Sequence, residues 1–175
     1  MPPFLHNVRQ KMSTVIHNIP PVFDSESRIL ILGSFPSVKS REAEFFYGHP
    51  QNRFWKVTAT VFGCDVPQTV EEKKAFLLKN HIALWDVIES CEIEGSSDSS
   101  IRNAVPNDIM KILNSADIKD IFVNGKTAEK YYKKYLLPQT KREAICLPST
   151  SPANAAKNLD RLIEEWKIIK EDAVG

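Results

Sequence analysis

The sequence predicts an α/β fold, a three-layer αβα sandwich on a central, mainly parallel four-stranded sheet. Short apolar runs of strand length alternate with amphipathic stretches of helical length along the chain. The first of these runs is apolar without interruption, as in a strand buried on both faces of a sheet. A length of 175 residues suits one domain with a substantial core.

The elements follow in order. Arg28–Ile29–Leu30–Ile31–Leu32–Gly33 reads as a central strand ended by its glycine. His81 to Val87, Ile118 to Asn124 and Ala144 to Leu147 read as the second, third and fourth strands. Between them, Asn52 to Phe62 places Phe54, Val57, Thr58 and Val61 on one helical stripe. Glu71 to Lys79 is a second helix, and Asn107 to Ser115 a third, with Pro106 near its start. Thr127 to Tyr135 is the next. A last helix is expected from about 155 to 170, with Leu159, Leu162, Ile163, Trp166 and Ile169 as its apolar stripe. Residues 1–19 read as an N-terminal extension, joined at Pro20–Pro21 to a domain over 20–175.

Composition narrows the classes of function. Charged residues make up 26% of the chain and hydrophobic ones 42%, the balance of a soluble globular protein. The longest apolar run, near Ile29 to Leu32, is far too short to cross a bilayer, and Met1 to Gln10 lack the apolar stretch of a signal peptide. No membrane association and a cytoplasmic location are expected. Cys64, Cys91 and Cys146 are scattered and odd in number, and the four histidines form no ligand-spaced pair. Neither a disulfide framework nor a bound zinc is expected. The net charge of +1 neither points to nucleic acid nor excludes it, because a local patch can be basic in a neutral whole.

Ligands of open parallel sheets bind outside the carboxyl ends of the strands, so the following loops matter most. After the first strand come Gly33–Ser34–Phe35–Pro36–Ser37 and then Tyr47–Gly48–His49–Pro50–Gln51–Asn52–Arg53–Phe54–Trp55. After the fourth comes Pro148–Ser149–Thr150–Ser151–Pro152–Ala153–Asn154. Small hydroxyl residues beside prolines give rigid turns that aim hydroxyls and backbone N–H groups at one point, which suits phosphate groups. Neither loop has the Gly-Lys-Ser/Thr ending of a nucleoside-triphosphate loop.

Gly-Ser-Phe-Pro-Ser, His-Pro-Gln-Asn-Arg-Phe-Trp, Leu-Trp-Asp-Val and Ser-Thr-Ser-Pro-Ala-Asn together resemble the signature motifs of the uracil-DNA glycosylase superfamily, most of all its hypoxanthine-DNA glycosylase branch. The stretch from Tyr47 is similar to that of the mismatch-specific uracil glycosylases. The resemblance covers about Val22 to Trp166 and is specific in combination, each motif alone being weak. It implies a monofunctional, cofactor-independent DNA glycosylase, monomeric, acting on double-stranded DNA that carries a deaminated base, hypoxanthine by preference. Such enzymes flip the damaged nucleotide out of the duplex and hydrolyse its N-glycosidic bond.

The same resemblance suggests roles. Tyr47 aligns with a stacking aromatic, and Phe35 offers a second wall, although either ring can equally be core. Phe35 also stands where many relatives carry an Asp or Asn that handles water. Asn52 is then the first candidate to position water, with helix capping as its alternative or additional role. His49 is a candidate donor to base or phosphate. Asp86 is a candidate to read the base edge and, if held protonated, to protonate a purine leaving group. Trp85 is a candidate pocket wall, although a place in the core is the commoner role of such a ring. Ser37, Ser149 and Ser151 are candidate phosphate ligands, with Lys126 after the third strand as a candidate cation. Ala153 aligns with the side chain that relatives push into the vacated base stack but is too small to fill it, leaving Asn154 or another loop to help. Asp98 is expected to order the Gly95–Ser99 loop against the site. A uracil-specific glycosylase, or a binding module that has lost catalysis, are the alternative readings.

Overall fold

The computed structural model describes residues 13–17 and 19–174. Its central sheet has four parallel strands in the order β3-β2-β6-β7, namely Ile82–Asp86, Ile29–Gly33, Asp120–Asn124 and Ile145–Leu147. These are the four strands expected from the sequence. β2 and β3 are buried at every position, as their uninterrupted apolar runs require of strands covered on both faces. The chain leaves β2 toward β3 on one side and later returns to place β6 on the other. That reversal opens a crevice at the carboxyl ends of β2 and β6.

Helices cover the sheet. α1 is Val38–Ala43, α2 Phe54–Val61 and α3 Val70–Lys79, the last started by a capping box between Thr69 and Glu72. α4 is reduced to Met110–Leu113, because Asn107, expected to open a longer helix, spends its side chain on the Asp86 carbonyl at 2.9 Å. α5, Lys126–Tyr131, runs through a π turn at Tyr132–Leu136 into α6, Leu137–Thr140. The expected final helix is two. Residues 155–158 are turn and Asn158 caps α7, Leu159–Trp166; Lys167 then separates it from α8, Ile168–Val174. Leu162, Trp166 and Ile169 of the predicted stripe are fully buried. Trp166 also donates its indole N–H to the Pro148 carbonyl at 2.9 Å, tying α7 to the loop after β7.

A second sheet was not expected. β4, Ile88–Ile93, continues directly from β3 and pairs antiparallel with β5, Arg102–Pro106, on one side and with β1, Ser13–Ile16, on the other. β1 belongs to the segment read as an extension; residues 1–12 of that segment lie outside the described residues. His17, immediately after β1, is buried and points at the end of β3.

Candidate active site

The floor of the site is the paired ends of β2 and β3. Gly33 and Asp86 are register partners, and a Cβ on Gly33 would lie 2.5 Å from Asp86 Oδ1 and 2.9 Å from the Tyr47 hydroxyl. Glycine is needed there because two functional side chains fold over it. Asp86 is 3% exposed, and its Oδ2 has no hydrogen-bond partner among the described residues. Burial pushes its carboxyl up to about 7, and the Asp98 carboxylate adds to the effect. Asp98 itself accepts from the Ser34 hydroxyl at 3.3 Å.

The loop after β2 makes one wall. Ser37 caps α1, accepting from the Ser40 N–H at 3.1 Å, and the Ser40 hydroxyl in turn accepts from Gly48 N at 2.9 Å, fixing the turn that presents Tyr47. Tyr47 has φ 53°, a left-handed conformation costly for an aromatic residue. It is held by stacking on Phe54 (centroids 4.2 Å apart, planes at 19°) and by accepting from Asn124 Nδ2 at 3.2 Å. Burial raises its phenol well above the usual range, so the ring serves as a neutral surface. Phe35 also faces the cavity, its ring edge-on to His17 at 5.3 Å.

The opposite wall is a hydrogen-bond network joining three loops. The Thr150 hydroxyl donates to Asn52 Oδ1 at 2.9 Å and accepts from Asn124 Nδ2 at 3.0 Å, while Thr150 N donates to Asn124 Oδ1 at 3.1 Å. Asn52 Oδ1 also accepts from Phe54 N at 2.9 Å, at the start of α2. The N-cap position itself is Arg53, so Asn52 is not the helix cap expected from the sequence but makes an Asx turn one residue before it, with a place in the site. Both lone pairs of that oxygen are taken, so Asn52 faces the cavity with its NH₂ donors rather than as an acceptor for water. Arg53 donates to the carbonyls of Lys157, Ser151 and Asn154 at 2.5, 2.9 and 3.1 Å, stapling the loop after β7 to the start of α2. His49 Nδ1 accepts from Gln51 N at 3.1 Å, which leaves Nε2 as the free position of a half-buried ring.

Together these elements enclose a cavity of about 350 Å³. That is room for a small planar ligand, at the low end of the ~300–1,000 Å³ typical of small-molecule sites. Of the residues singled out in the sequence, Phe35, Ser37, Tyr47, His49, Asn52, Asp86, Asp98, Ser149, Ser151 and Ala153 line it. Three others do not. Trp85 alternates away from Asp86 along β3; its indole donates to the Ile19 carbonyl at 3.2 Å, and Lys111 covers the ring. Asn154 spends its amide on the Ser149 carbonyl at 3.0 Å, shaping the loop from behind. Lys126 opens α5 on the exposed surface, away from the cavity wall. The sequence reading missed Thr150, Arg53 and His17. Thr150 and Arg53 stood inside the quoted motifs, but a threonine between two serines and an arginine beside an asparagine give no sign of which one carries the network. Among the described residues no three His, Cys, Asp or Glu side chains gather to hold a metal, and no helix is long and apolar enough to cross a membrane.

Residues 20–171 match the family model described as the uracil DNA glycosylase superfamily. A hypoxanthine DNA glycosylase of Methanosarcina acetivorans is 36% identical over 152 residues, covering 86% of this chain and 94% of the relative. A hypoxanthine DNA glycosylase of Methanosarcina barkeri is 34% identical over 137 residues, covering 77% and 85%. A solution structure from Methanosarcina acetivorans, described as a candidate uracil DNA glycosylase, superposes with a TM-score of 0.77 at 32% identity, covering 95% of this chain and 99% of that one.

Proposed function

This chain belongs to the uracil DNA glycosylase superfamily, and from that premise we propose that it is a DNA glycosylase that excises deaminated bases, hypoxanthine first. The observation that carries the choice of base is the buried, cavity-facing Asp86; burial pushes its carboxyl up to about 7, so a large share of it is protonated at neutral pH. An N-glycosidic bond breaks with the electron pair departing on the base. A purine offers a basic ring nitrogen that can take a proton as the bond lengthens, and a protonated carboxyl beside it supplies that proton. Uracil leaves as a stabilised anion and gains more from neutral donors.

The rest of the site fits the same sequence of events. The flipped base stacks on Tyr47, whose rear face rests on Phe54. The Asn52 NH₂, held by its twice-bonded oxygen, donates to the incoming water or the base. Ser149 and Ser151, on the loop clamped by Arg53, offer hydroxyls to the DNA backbone. Asp86 is the general acid. The substrate on this reading is double-stranded DNA, and the enzyme is monomeric and cytoplasmic.

Single-turnover excision from duplexes carrying one deoxyinosine or one deoxyuridine, with alkaline cleavage at the abasic site, tests the proposal. Faster release of hypoxanthine is expected. Faster release of uracil overturns the base preference, and release of neither overturns the enzymatic reading.

A further inference from the structure

His17 lies outside the 20–171 span that matches the family model, yet β1 delivers it to the inner side of the Asp86 carboxyl. The imidazole is 6% exposed, with Nε2 2.8 Å from the Ile88 carbonyl oxygen and 3.9 Å from Asp86 Oδ2. A carbonyl only accepts, so Nε2 carries the ring hydrogen and spends it on Ile88. The remaining distance to Asp86 is too long for a hydrogen bond. Burial pushes the imidazole below its usual range, so it is neutral at pH 7 and Nδ1 holds a lone pair. His17 thus touches Asp86 as a wall with no donor to give.

We propose that His17 is a positioning residue for Asp86: it seals the carboxyl from water on its inner side and, its one N–H spent on Ile88, withholds the donor that would favour the carboxylate over the neutral acid. This rests on the reading of Asp86 as the acid. Among the described residues the other ionisable groups around the pair are few. Asp98, from the turn before β5, and the neutral Tyr47 hydroxyl face Asp86. Glu89 on β4 and Arg41 on α1 act on His17. Arg41 sits over Phe35 and donates to the Gly95 carbonyl at 2.8 Å.

Two substitutions separate this role from simple structural support. Gln at position 17 keeps a donor for the Ile88 carbonyl and adds a second N–H toward Asp86 Oδ2. Leu at 17 loses the Ile88 bond but keeps an apolar seal. The test measures the alkaline midpoint of single-turnover hypoxanthine excision in the wild-type protein, His17→Gln and His17→Leu. The Asp86 side-chain carbon is titrated by NMR in the same three proteins. For His17→Gln both midpoints are expected to fall by about one pH unit, the usual effect of one added hydrogen bond to a carboxylate. For His17→Leu they stay within a few tenths or rise. A purely structural role predicts the opposite, with Gln benign and Leu damaging, and an unmoved NMR midpoint in His17→Gln overturns the proposal. If the NMR midpoint moves and the excision midpoint does not, His17 controls Asp86 as stated and the acid role of Asp86 is what fails.

Discussion

Replacing Asp86 by Asn removes the acid while keeping its shape, and two consequences with opposite signs follow. Asp86 ionises at about 7 in the folded protein, against an ordinary value of about 3.8. Its folded value is raised, so between those limits the native state binds the extra proton and stability falls as pH rises. For a shift of this size the loss is about 4 kcal/mol by pH 8, of which roughly 2.5 kcal/mol develops between pH 5 and pH 8. Asn does not titrate, so urea unfolding of Asp86→Asn should lack that part of the pH dependence and the variant should gain on the wild type as pH rises. Catalysis moves the other way. Hypoxanthine excision by the wild type should fall about tenfold from pH 6 to pH 8 as the acid form is depleted. In Asp86→Asn the rate at pH 6 should be about 100-fold lower, with the alkaline limb gone. An Asp86→Asn protein with the wild-type slope of stability against pH would refute the buried, proton-retaining carboxyl. One with wild-type excision would refute its role as acid.

Four further outcomes are expected. Asn52→Ala should lower excision about 100-fold but stability by only about 1 kcal/mol, the usual net cost of lost hydrogen bonds, here to Phe54 N and the Thr150 hydroxyl, as read by single-turnover rates and urea unfolding. Gly33→Ala would drive a methyl into Asp86 Oδ1 and the Tyr47 hydroxyl; a loss of about 1–3 kcal/mol and near-complete loss of excision are expected, and an active, stable variant would disprove the close approach. Arg53→Lys cannot span three carbonyls with one ammonium, so affinity for abasic-site DNA, followed by fluorescence anisotropy, should weaken about tenfold while the pH midpoint of excision stays in place. A duplex containing 7-deaza-deoxyinosine, which lacks one basic ring nitrogen, should be cut about as slowly as Asp86→Asn cuts deoxyinosine; undiminished cutting would place the proton elsewhere on the base.

The parallel sheet was legible because its central strands, β2 and β3, are buried at every position and β6 at its three middle ones, which leaves apolar runs of strand length in the sequence. The second sheet was not, for a physical reason. β4 and β5 carry register shifts between Ile88 and Ser90 and between Ser90 and Glu92, so no clean alternation survives in Ile88–Glu89–Ser90–Cys91–Glu92–Ile93. The final helix was read as one because its apolar stripe continues across Lys167 although its backbone does not. In the site, Tyr47, Asn52 and Asp86 line the cavity, since each stands in a loop or strand end whose position the fold dictates. Residue types misplaced Trp85, because which neighbour on a strand faces the crevice depends on the register of β3 against β2. His17 was out of reach, because its partner Asp86 is 69 residues away and the pairing of β1 with β4 that brings them together leaves no local pattern.

The arrangement also constrains where the rate acceleration comes from. Phe35 gives the cavity wall no group that could activate water, and Asn52 has its oxygen filled by Thr150 and Phe54. Among the described residues the bases that face the cavity are His49, with its free Nε2, and the carboxyls of Asp86 and Asp98, and burial keeps about half of Asp86 in its acid form at pH 7. A site with a protonated carboxyl built into its floor can pull on its leaving group. Pulling works for a base with a protonatable ring nitrogen and does little for one that departs as a stable anion. The burial of Asp86 then serves selectivity as well as rate: what lifts its carboxyl toward neutrality also biases the cavity toward purines. The cost is the stability given up above pH 5 to keep an unpaired carboxyl in the floor of the sheet, and it is borne by the strongest part of the fold, the fully buried β2 and β3.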